Sequence, residues 1–333
     1  MKLAVLGAGA WGTAIGISLA RRHRLVLWAR DAQHAGEIAA TRANQRYLPG
    51  FILPEAITVT AELAAALEAC DLILAATTTA GLRPTLRCLA AAGNTAPLVW
   101  LCKGFESETA QLPHQIAAAE LSPALPRAAL SGPSFAAEIA RGLPAALTLA
   151  SDDSAFAARV ARELHGDALR IYSSDDVIGV EVAGALKNVM AIAAGISDGL
   201  GLGYNARAAL ITRGLAEITR LGLKLGGRPA TFMGLAGAGD LILTCTGDLS
   251  RNRNVGLQLA RNIALPEVLR SLGHVAEGVP TARAADRLAR ELDVDMPITR
   301  AVCRVLDGNV SALEAAQELL QRDPKAEHDN PLS

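Results

Sequence analysis

The chain is poor in aromatic residues, has no clustered cysteines and carries almost no excess charge. Aromatic residues make up 3% of its 333 positions and hydrophobic residues 51%, so the core must consist mostly of Ala, Leu, Val and Ile. The 32 Lys+Arg and 33 Asp+Glu give a net charge of −1, which argues against a strongly basic nucleic-acid binder. The hydrophobic fraction argues against global disorder, and the length favours a globular protein of two domains.

The five cysteines contain no CxxC pair, and their number is odd. A disulfide framework and a thiolate zinc site are therefore both disfavoured. We expect most of the cysteines to be buried as small hydrophobic residues, a usage that suits a reducing cytoplasm. The six histidines show no HExxH or similar spacing, so the sequence predicts neither a metal site nor a nucleophile-based triad. The cysteines are Cys70, Cys88, Cys102, Cys245 and Cys303.

An uncharged stretch, residues 3–20, follows Lys2 and superficially resembles a signal peptide or a short membrane span. Four glycines divide its apolar residues into two blocks, which a strand, a tight turn and a helix explain better. No other uncharged run is long enough to cross a bilayer. The sequence therefore predicts a soluble, cytoplasmic protein.

Short apolar runs alternate with helical stretches in the first half of the chain. This alternation predicts an α/β domain with a mostly parallel sheet of the Rossmann type and right-handed crossovers. From about residue 172 onward, long Ala/Leu-rich helical patterns predict an all-α domain. We place a dinucleotide-binding domain at 1–176 and a helical substrate-binding and catalytic domain at 177–333, with a loose tail from about residue 322. The predicted strands are 2–6, 25–28, 72–76, 98–102, 128–130 and 145–150, and the predicted C-terminal helices are 177–196, 206–221, 252–261, 282–290 and 311–321.

A G-x-G-x-x-G motif, formed by Gly7, Gly9 and Gly12, directly follows the first predicted strand and opens a helix. The first glycine permits the turn, the second lets the backbone approach a pyrophosphate, and the third allows close helix–strand packing. The helix N-terminus adds unpaired N–H groups for the phosphates. The strand-to-helix setting favours a dinucleotide site over an ordinary glycine-rich turn.

The end of the second strand bears on the choice of cofactor. An acidic residue here would bind the ribose hydroxyls of NAD, but Arg30 comes first and Asp31 second. A guanidinium at this place can pair with a 2′-phosphate. NADPH is therefore favoured over NADH, although Asp31 keeps NAD possible and Arg30 could instead be an ordinary surface arginine.

Lys187 lies on the apolar face of the helix predicted over 177–196. Buried lysines are rare, and burial lowers the pKa of the ammonium toward the range that a general acid needs near neutral pH. The alternative is a lysine that covers apolar surface with its stem. Asn188 beside it could bind polar substrate groups. The neighbours three and four positions from Lys187 are Ala183, Gly184, Met190 and Ala191.

Four further segments carry groups suited to a small phosphorylated ligand. Lys103 follows a predicted strand at the sheet edge where ligands bind in open α/β sheets. Residues 131–136, S-G-P-S-F-A, offer a hydroxyl at a turn, and residues 237–240, G-A-G-D, place a carboxylate on a tight turn. Residues 250–252, S-R-N, combine an N-cap with an arginine at a helix start, a natural phosphate receptor. Ordinary turns and a capped helix are the competing interpretations.

Together these segments closely resemble the bacterial type of NAD(P)-dependent glycerol-3-phosphate dehydrogenase, over nearly the whole chain. The resemblance implies reversible reduction of dihydroxyacetone phosphate to sn-glycerol 3-phosphate, a precursor of glycerophospholipids. It departs from the family mildly at Ala10, where the family often has serine. The motifs that carry it are G-A-G-A-W-G-T-A at 7–14, C-K-G at 102–104, S-G-P-S-F-A at 131–136, the block 181–205 with A-L-K-N-V, G-A-G-D-L at 237–241, S-R-N at 250–252 and E-G-V at 277–279.

The resemblance also implies roles for individual residues. Lys187 is the expected acid/base, which donates a proton to the ketone oxygen as hydride arrives from the nicotinamide. Lys103 is expected to contact both substrate and cofactor, and Arg251 is expected to lie near both. The remaining residues expected around the substrate are Gly132, Ser134, Asn188, Asp240, Ser250 and Asn252, and those expected around the dinucleotide are Gly7, Gly9, Ala10, Trp11, Gly12, Arg30, Ala136, Val275 and Glu277.

Two other functions stay open at this stage. A related 3-hydroxy-acid dehydrogenase would share the two domains, but it would have no use for the phosphate receptor at 250–252. A non-catalytic NADPH-binding sensor would not need a lysine on an apolar helix face. The helical second domain is also compatible with a homodimer, and no metal is expected.

Overall fold

A computed structural model describes residues 1–272 and 275–323 of the chain. The predicted loose tail lies, from residue 324 on, outside the described residues. The chain packs as two compact units, the first formed by Met1–Lys103 and Gln111–Glu181. The second contains Gly104–Ala110 and the chain from Val182 onward. The sequence division at 176/177 treated each domain as one continuous stretch and did not provide for the inserted segment Gly104–Ala110.

The first unit is built on one eight-stranded sheet with the strand order β3-β2-β1-β4-β5-β6-β7-β8. Neighbouring strands are parallel except for β6 and β7, which are antiparallel. The predicted α/β fold with a mostly parallel sheet is therefore confirmed. The strands are β1 (Lys2–Leu6), β2 (Arg24–Trp28), β3 (Ile57–Thr60), β4 (Leu72–Ala75), β5 (Leu98–Trp100), β6 (Arg127–Ser131), β7 (Ala145–Ala150) and β8 (Leu169–Ser174).

Two of these strands, β3 and β8, were not predicted. Both form edges of the sheet, and in each the buried side chains are few: Ile57 in β3, and Leu169 and Ile171 in β8. An edge strand with one wet face carries no continuous apolar run, which is the pattern that identified the central strands. The central strands supply the core, where Leu3, Val5 and Val99 are fully buried.

The helices of the first unit flank this sheet. The first of them, α1, begins at the glycine-rich turn, and α2 begins one residue after Asp31. The helices are α1 (Ala10–Leu19), α2 (Ala32–Thr41), α3 (Leu63–Leu67), α4 (Thr79–Ala91), α5 (Pro113–Glu120), α6 (Ala136–Arg141) and α7 (Ser154–Leu164).

Among its described residues the second unit contains helices and no strand, which confirms the predicted all-α character. Its longest helix, α8, begins in the first unit at Val177 and continues to Gly199. A π-helical turn, Leu235–Gly239, leads directly into α11. The helices are α8 (Val177–Gly199), α9 (Gly203–Lys224), α10 (Pro229–Met233), α11 (Asp240–Thr246), α12 (Arg251–Leu259), α13 (Leu265–Leu272), α14 (Gly278–Glu291), α15 (Pro297–Leu306) and α16 (Ala312–Leu320).

Among the described helices, α8 alone is long and apolar enough to cross a membrane on length and composition. Its most apolar window has a mean hydropathy of 1.6, and 94% of that window is buried inside the protein. Packing within the protein therefore accounts for the apolar character of α8.

Helices α8 and α12 cross with their backbones in contact. A Cβ atom on Gly195 would lie 2.0 Å from the carbonyl oxygen of Arg253, and one on Gly256 would lie 2.0 Å from that of Ile192. Real Cβ atoms do not approach so closely, so only glycine fits at these two positions. The crossing holds together two helices that carry predicted site residues, Asn188 and Asn252.

A buried carboxylate joins α9 to the start of α15. Glu217, 1% exposed, accepts hydrogen bonds from the backbone N–H groups of Ile298 (2.7 Å) and Thr299 (3.2 Å). It therefore satisfies N–H groups that have no partner within their own helix. Burial raises the pKa of Glu217 to about 7.

Candidate functional site

The glycine-rich turn has the geometry that its sequence predicts. Gly7 has φ +122°, and a Cβ there would lie 2.6 Å from the carbonyl oxygen of Ala76. A Cβ on Gly12 would lie 2.0 Å from the carbonyl oxygen of Gly7, so the third glycine lets α1 pack against the turn. No atom of the described residues stands within 4 Å of a Cβ position on Gly9. The backbone at the second glycine is thus open to a ligand.

Helix α1 starts beside this open space. Gly9 occupies its N-cap position and has no side chain to cap the first N–H groups. Ala10 and Trp11 form the first turn, both half-buried. An uncapped helix start after such a turn is a ready anion site, because several N–H groups and the positive end of the helix dipole face the same way.

Arg30 and Asp31, the two residues that bear on the choice of cofactor, both follow the carboxyl end of β2 but have different environments. Asp31 is the N-cap of α2, and its Oδ1 accepts hydrogen bonds from the backbone N–H groups of Gln33 (3.0 Å) and His34 (3.2 Å). Arg30 is exposed. From the sequence, Asp31 is a candidate ribose-binding residue. In the structure, one of its carboxylate oxygens caps the start of α2.

Two predicted substrate-binding side chains converge on one carbonyl in the first unit. Lys103 Nζ donates to the carbonyl oxygen of Gly132 (3.0 Å), and Ser134 Oγ donates to the same oxygen (2.8 Å). Gly132 has φ +134°, and a Cβ there would meet Leu147 at 3.1 Å, so the position requires glycine. Ala136 begins α6 just after this turn.

Lys187 is buried in the second unit beside a carboxylate. Its Nζ donates to Asp240 Oδ1 (2.5 Å) and to Thr244 Oγ1 (3.0 Å). The Lys187 side chain is 9% exposed and that of Asp240 is fully buried. The carboxylate of Asp240 supplies the opposite charge that a buried ammonium needs, a partner that the position of Lys187 on an apolar helix face does not predict.

The predicted tight turn at residues 237–240 is wrong. The glycines lie in the π-helical turn Leu235–Gly239, and Asp240 is the first residue of α11. A Cβ on Gly237 would lie 2.1 Å from the carbonyl oxygen of Phe232, so this glycine serves close backbone packing and not a reversal of the chain. Single π turns within helices are frequent at functional sites.

Asn188 and Asn252 form a buried pair at the α8–α12 crossing. Asn252 Nδ2 donates to Asn188 Oδ1 (3.0 Å), and the backbone N–H of Gly278 donates to Asn252 Oδ1 (3.1 Å). Each asparagine is less than a tenth exposed. These two hydrogen bonds join three helices, α8, α12 and α14, at two residues that are predicted to bind the substrate.

The start of α12 has the predicted N-cap and the predicted arginine beside it. Ser250 is its N-cap, and Ser250 Oγ accepts from the backbone N–H of Arg253 (3.2 Å). Arg251 is exposed, whereas Arg253 forms ion pairs with Asp198 (2.8 Å) and Asp248 (3.0 Å). Arg251 is thus the arginine of this helix start that faces solvent.

Val275 and Glu277 precede α14. Val275 is 57% exposed and Glu277 is half-buried. Val275 directly follows residues 273–274, which lie outside the described residues.

Comparison with known proteins decides the family. Residues 2–157 match the family model described as the NAD-dependent glycerol-3-phosphate dehydrogenase N-terminus, and residues 176–317 match the model of the corresponding C-terminus. The chain belongs to the NAD-dependent glycerol-3-phosphate dehydrogenase family. The resemblance found in the sequence is therefore confirmed, and the chain is an NAD(P)-dependent oxidoreductase.

Individual glycerol-3-phosphate dehydrogenases match the chain end to end. The NAD(P)+ enzyme of Nitrosospira multiformis is 58% identical over 331 residues, which cover 98% of this chain and 99% of the relative. That of Dechloromonas aromatica is 57% identical over 327 residues, with coverage of 98% and 99%. The crystal structure of the Coxiella burnetii enzyme is 41% identical, covers 96% of this chain and 99% of its own, and superposes with a TM-score of 0.93.

Thr244, to which the sequence motifs of a glycerol-3-phosphate dehydrogenase draw no attention, contacts the buried Lys187. Thr244 Oγ1 accepts from Lys187 and donates to the carbonyl oxygen of Asp240 (2.6 Å). The available signal was spacing: Thr244 lies four residues after Asp240, which places both on one face of a helix. The prediction of a turn at Asp240 concealed that relationship.

Proposed function

We propose that this chain catalyses the reversible reduction of dihydroxyacetone phosphate to sn-glycerol 3-phosphate, with NADPH as the preferred cofactor, and that the product feeds glycerophospholipid synthesis. Family membership supports the reaction class. The observation that carries the assignment of roles is the buried Lys187 ammonium, held between Asp240 and Thr244. A soluble protein in the cytoplasm is part of the same proposal.

The bound nicotinamide supplies the hydride for this reaction. Lys187 donates a proton to the ketone oxygen as negative charge develops there, so that one hydride and one proton convert the ketone to the alcohol. Asp240 pairs with the Lys187 ammonium, and Thr244 fixes its direction. In the reverse direction the same amine accepts the hydroxyl proton.

The substrate's phosphate and the cofactor are assigned to separate groups. The exposed Arg251 and the first N–H groups of α12 bind the substrate phosphate, with Ser250 and the Asn188–Asn252 pair beside them. Lys103, held on the Gly132 carbonyl with Ser134, contacts substrate and cofactor. The turn at Gly7, Gly9 and Gly12 binds the pyrophosphate. Arg30 binds the 2′-phosphate of NADPH, and the further dinucleotide contacts are Ala10, Trp11, Ala136, Val275 and Glu277.

The deciding experiment mixes purified protein with NADPH and dihydroxyacetone phosphate and follows the nicotinamide absorbance. Turnover is expected with this substrate, and dihydroxyacetone without its phosphate should react far more slowly because it cannot use the start of α12. The Arg251→Ala variant should raise KM for the phosphorylated substrate. It should therefore reduce the ratio of kcat/KM for dihydroxyacetone phosphate to kcat/KM for dihydroxyacetone. Folded protein that binds NADPH but shows no turnover would sink the proposal.

A homodimer completes the proposal. Large apolar side chains are exposed on the second unit, including Met233 (70%) and Leu320 (72%), where a second copy could cover them. Light scattering of the purified protein should give twice the mass of one chain. A monomer at micromolar concentration would contradict this part of the proposal and leave the catalytic part intact.

A further inference from the structure

A buried asparagine outside the dinucleotide motif forms a hydrogen bond to the glycine-rich turn. Asn44, with no exposed surface, lies in the loop between α2 and β3. Its Nδ2 donates to the carbonyl oxygen of Ala8 (2.9 Å) and to Thr13 Oγ1 (2.8 Å), and its Oδ1 accepts from the N–H of Tyr47 (3.2 Å). Both amide protons and the amide oxygen of Asn44 are thus engaged.

The two partners of Asn44 Nδ2 lie on either side of the segment that would bind phosphate. Ala8 stands between the first two glycines of the turn. Thr13 lies in the first turn of α1, and its N–H donates to the carbonyl oxygen of Gly9 (3.0 Å). The Asn44 side chain therefore bonds both to the turn before Gly9 and to the helix after it.

The bond to Ala8 also fixes the direction of a donor. The Ala8 carbonyl and the Gly9 N–H belong to one planar trans peptide unit, in which they point in opposite directions. Because Asn44 holds the carbonyl on the buried side, the Gly9 N–H faces away from it. A glycine peptide is otherwise free to rotate, since no Cβ restricts φ and ψ.

The loop that carries Asn44 is itself anchored. Arg42 donates through its guanidinium to the carbonyl oxygens of Ile57 (2.8 Å) and Leu53 (3.1 Å), and the N–H of Leu53 donates to the Arg42 carbonyl (2.7 Å). The N–H of Leu48 donates to the Asn44 carbonyl (2.9 Å). These bonds hold the loop against the start of β3, so the position of Asn44 relative to the glycine-rich turn is fixed.

We propose that Asn44 is a positioning residue for the cofactor, which aims the Gly9 N–H at the pyrophosphate by holding the Ala8 carbonyl. It touches neither cofactor nor substrate. Its contribution lies in pre-organisation, since the turn does not have to be ordered when the dinucleotide binds. The inference rests on the assignment of the turn to the dinucleotide and is independent of which ketone is reduced.

The test replaces Asn44 with leucine, which has a similar size and no hydrogen-bonding groups. The Kd for NADPH, measured by nicotinamide fluorescence without substrate, should rise about tenfold or more, the equivalent of one or two buried hydrogen bonds. At saturating NADPH, kcat and the KM for the ketone should stay within about threefold of wild type. Because Kd needs no turnover, a failure of the proposed reaction would not affect this measurement.

A matched control separates positioning from general stability. Ser151→Ala removes another buried side-chain bond in the same unit, from Ser151 Oγ to the carbonyl oxygen of Arg127 (2.7 Å), away from the turn. It should lower stability and leave the Kd for NADPH unchanged. Should Asn44→Leu fail to fold, Asn44→Ser, whose shorter side chain cannot reach Ala8, decides by the same assay. A folded Asn44 variant with wild-type Kd would overturn the proposal.

Discussion

Lys187 Nζ lies 2.5 Å from Oδ1 of Asp240, a carboxylate that has no contact with solvent. Helix α8 supplies the ammonium and the first residue of α11 supplies the carboxylate. Neither charge could be buried alone without a large desolvation cost, so each makes the other tolerable. A buried ion pair is thereby held between α8 and the start of α11.

Replacement of Lys187 by methionine should abolish most turnover. Methionine keeps the apolar stem and removes the proton donor, so kcat should fall about 10²- to 10⁴-fold, the usual contribution of a general acid. The Kd for NADPH should not change. The control is Lys224→Met at the exposed end of α9, which should keep full activity. Normal kcat in the Lys187 variant would remove this residue from the acid role.

Arg30→Ala should shift the cofactor preference. Loss of a charge-assisted bond to the 2′-phosphate should raise KM for NADPH about tenfold or more and leave KM for NADH nearly unchanged. Arg24→Ala, at the opposite end of the same strand, serves as the control and should alter neither value. Steady-state kinetics with both cofactors checks the prediction, and an equal change in both KM values would refute the 2′-phosphate contact.

The buried Glu217 should make the protein less stable as the pH rises. Burial raises its pKa from 4.5 to about 7, so between these values the folded state binds more protons than the unfolded state. The resulting stabilisation is complete below the unfolded pKa and is lost as pH rises through the folded pKa, amounting to roughly 3 kcal/mol.

Urea unfolding at several pH values between about 4.5 and 8 measures this effect. Glu217→Gln cannot titrate, so its free energy of unfolding should show a correspondingly weaker decline with pH. Glu291→Gln on the exposed end of α14 should keep the wild-type slope. Identical slopes for all three proteins would show that Glu217 does not titrate in this range.

The α8–α12 crossing should not accept a methyl group. Gly256→Ala places a Cβ 2.0 Å from the Ile192 carbonyl, so the helices must separate, and we expect a loss of about 3 kcal/mol or more in the free energy of unfolding. Gly36→Ala in the middle of α2 meets no described atom within 4 Å and should stabilise the protein by about 0.5–1 kcal/mol. Chemical denaturation distinguishes these opposite signs, and a neutral Gly256→Ala would contradict the tight crossing.

The sequence predicts features that depend on local spacing. The roles of Gly7 and Gly12 follow from the motif, and the structure shows that a Cβ at either would collide with backbone. The position of Lys187 on an apolar helix face likewise predicts its burial. Contacts between distant segments carry no such local signal. Asn44 lies 36 residues from Ala8, and Asp240 lies 53 from Lys187, so only the folded chain shows these pairs.

The segment Gly104–Ala110 limits how this chain can be divided. It leaves the first unit after Lys103, packs with residues from Val182 onward, and returns at Gln111. Phe105 within it is 2% exposed. A fragment that ends at residue 176 would contain this segment without the later residues of its unit. During synthesis this segment emerges well before the residues from Val182 onward with which it packs, so the second unit cannot be completed until the later half of the chain has been made.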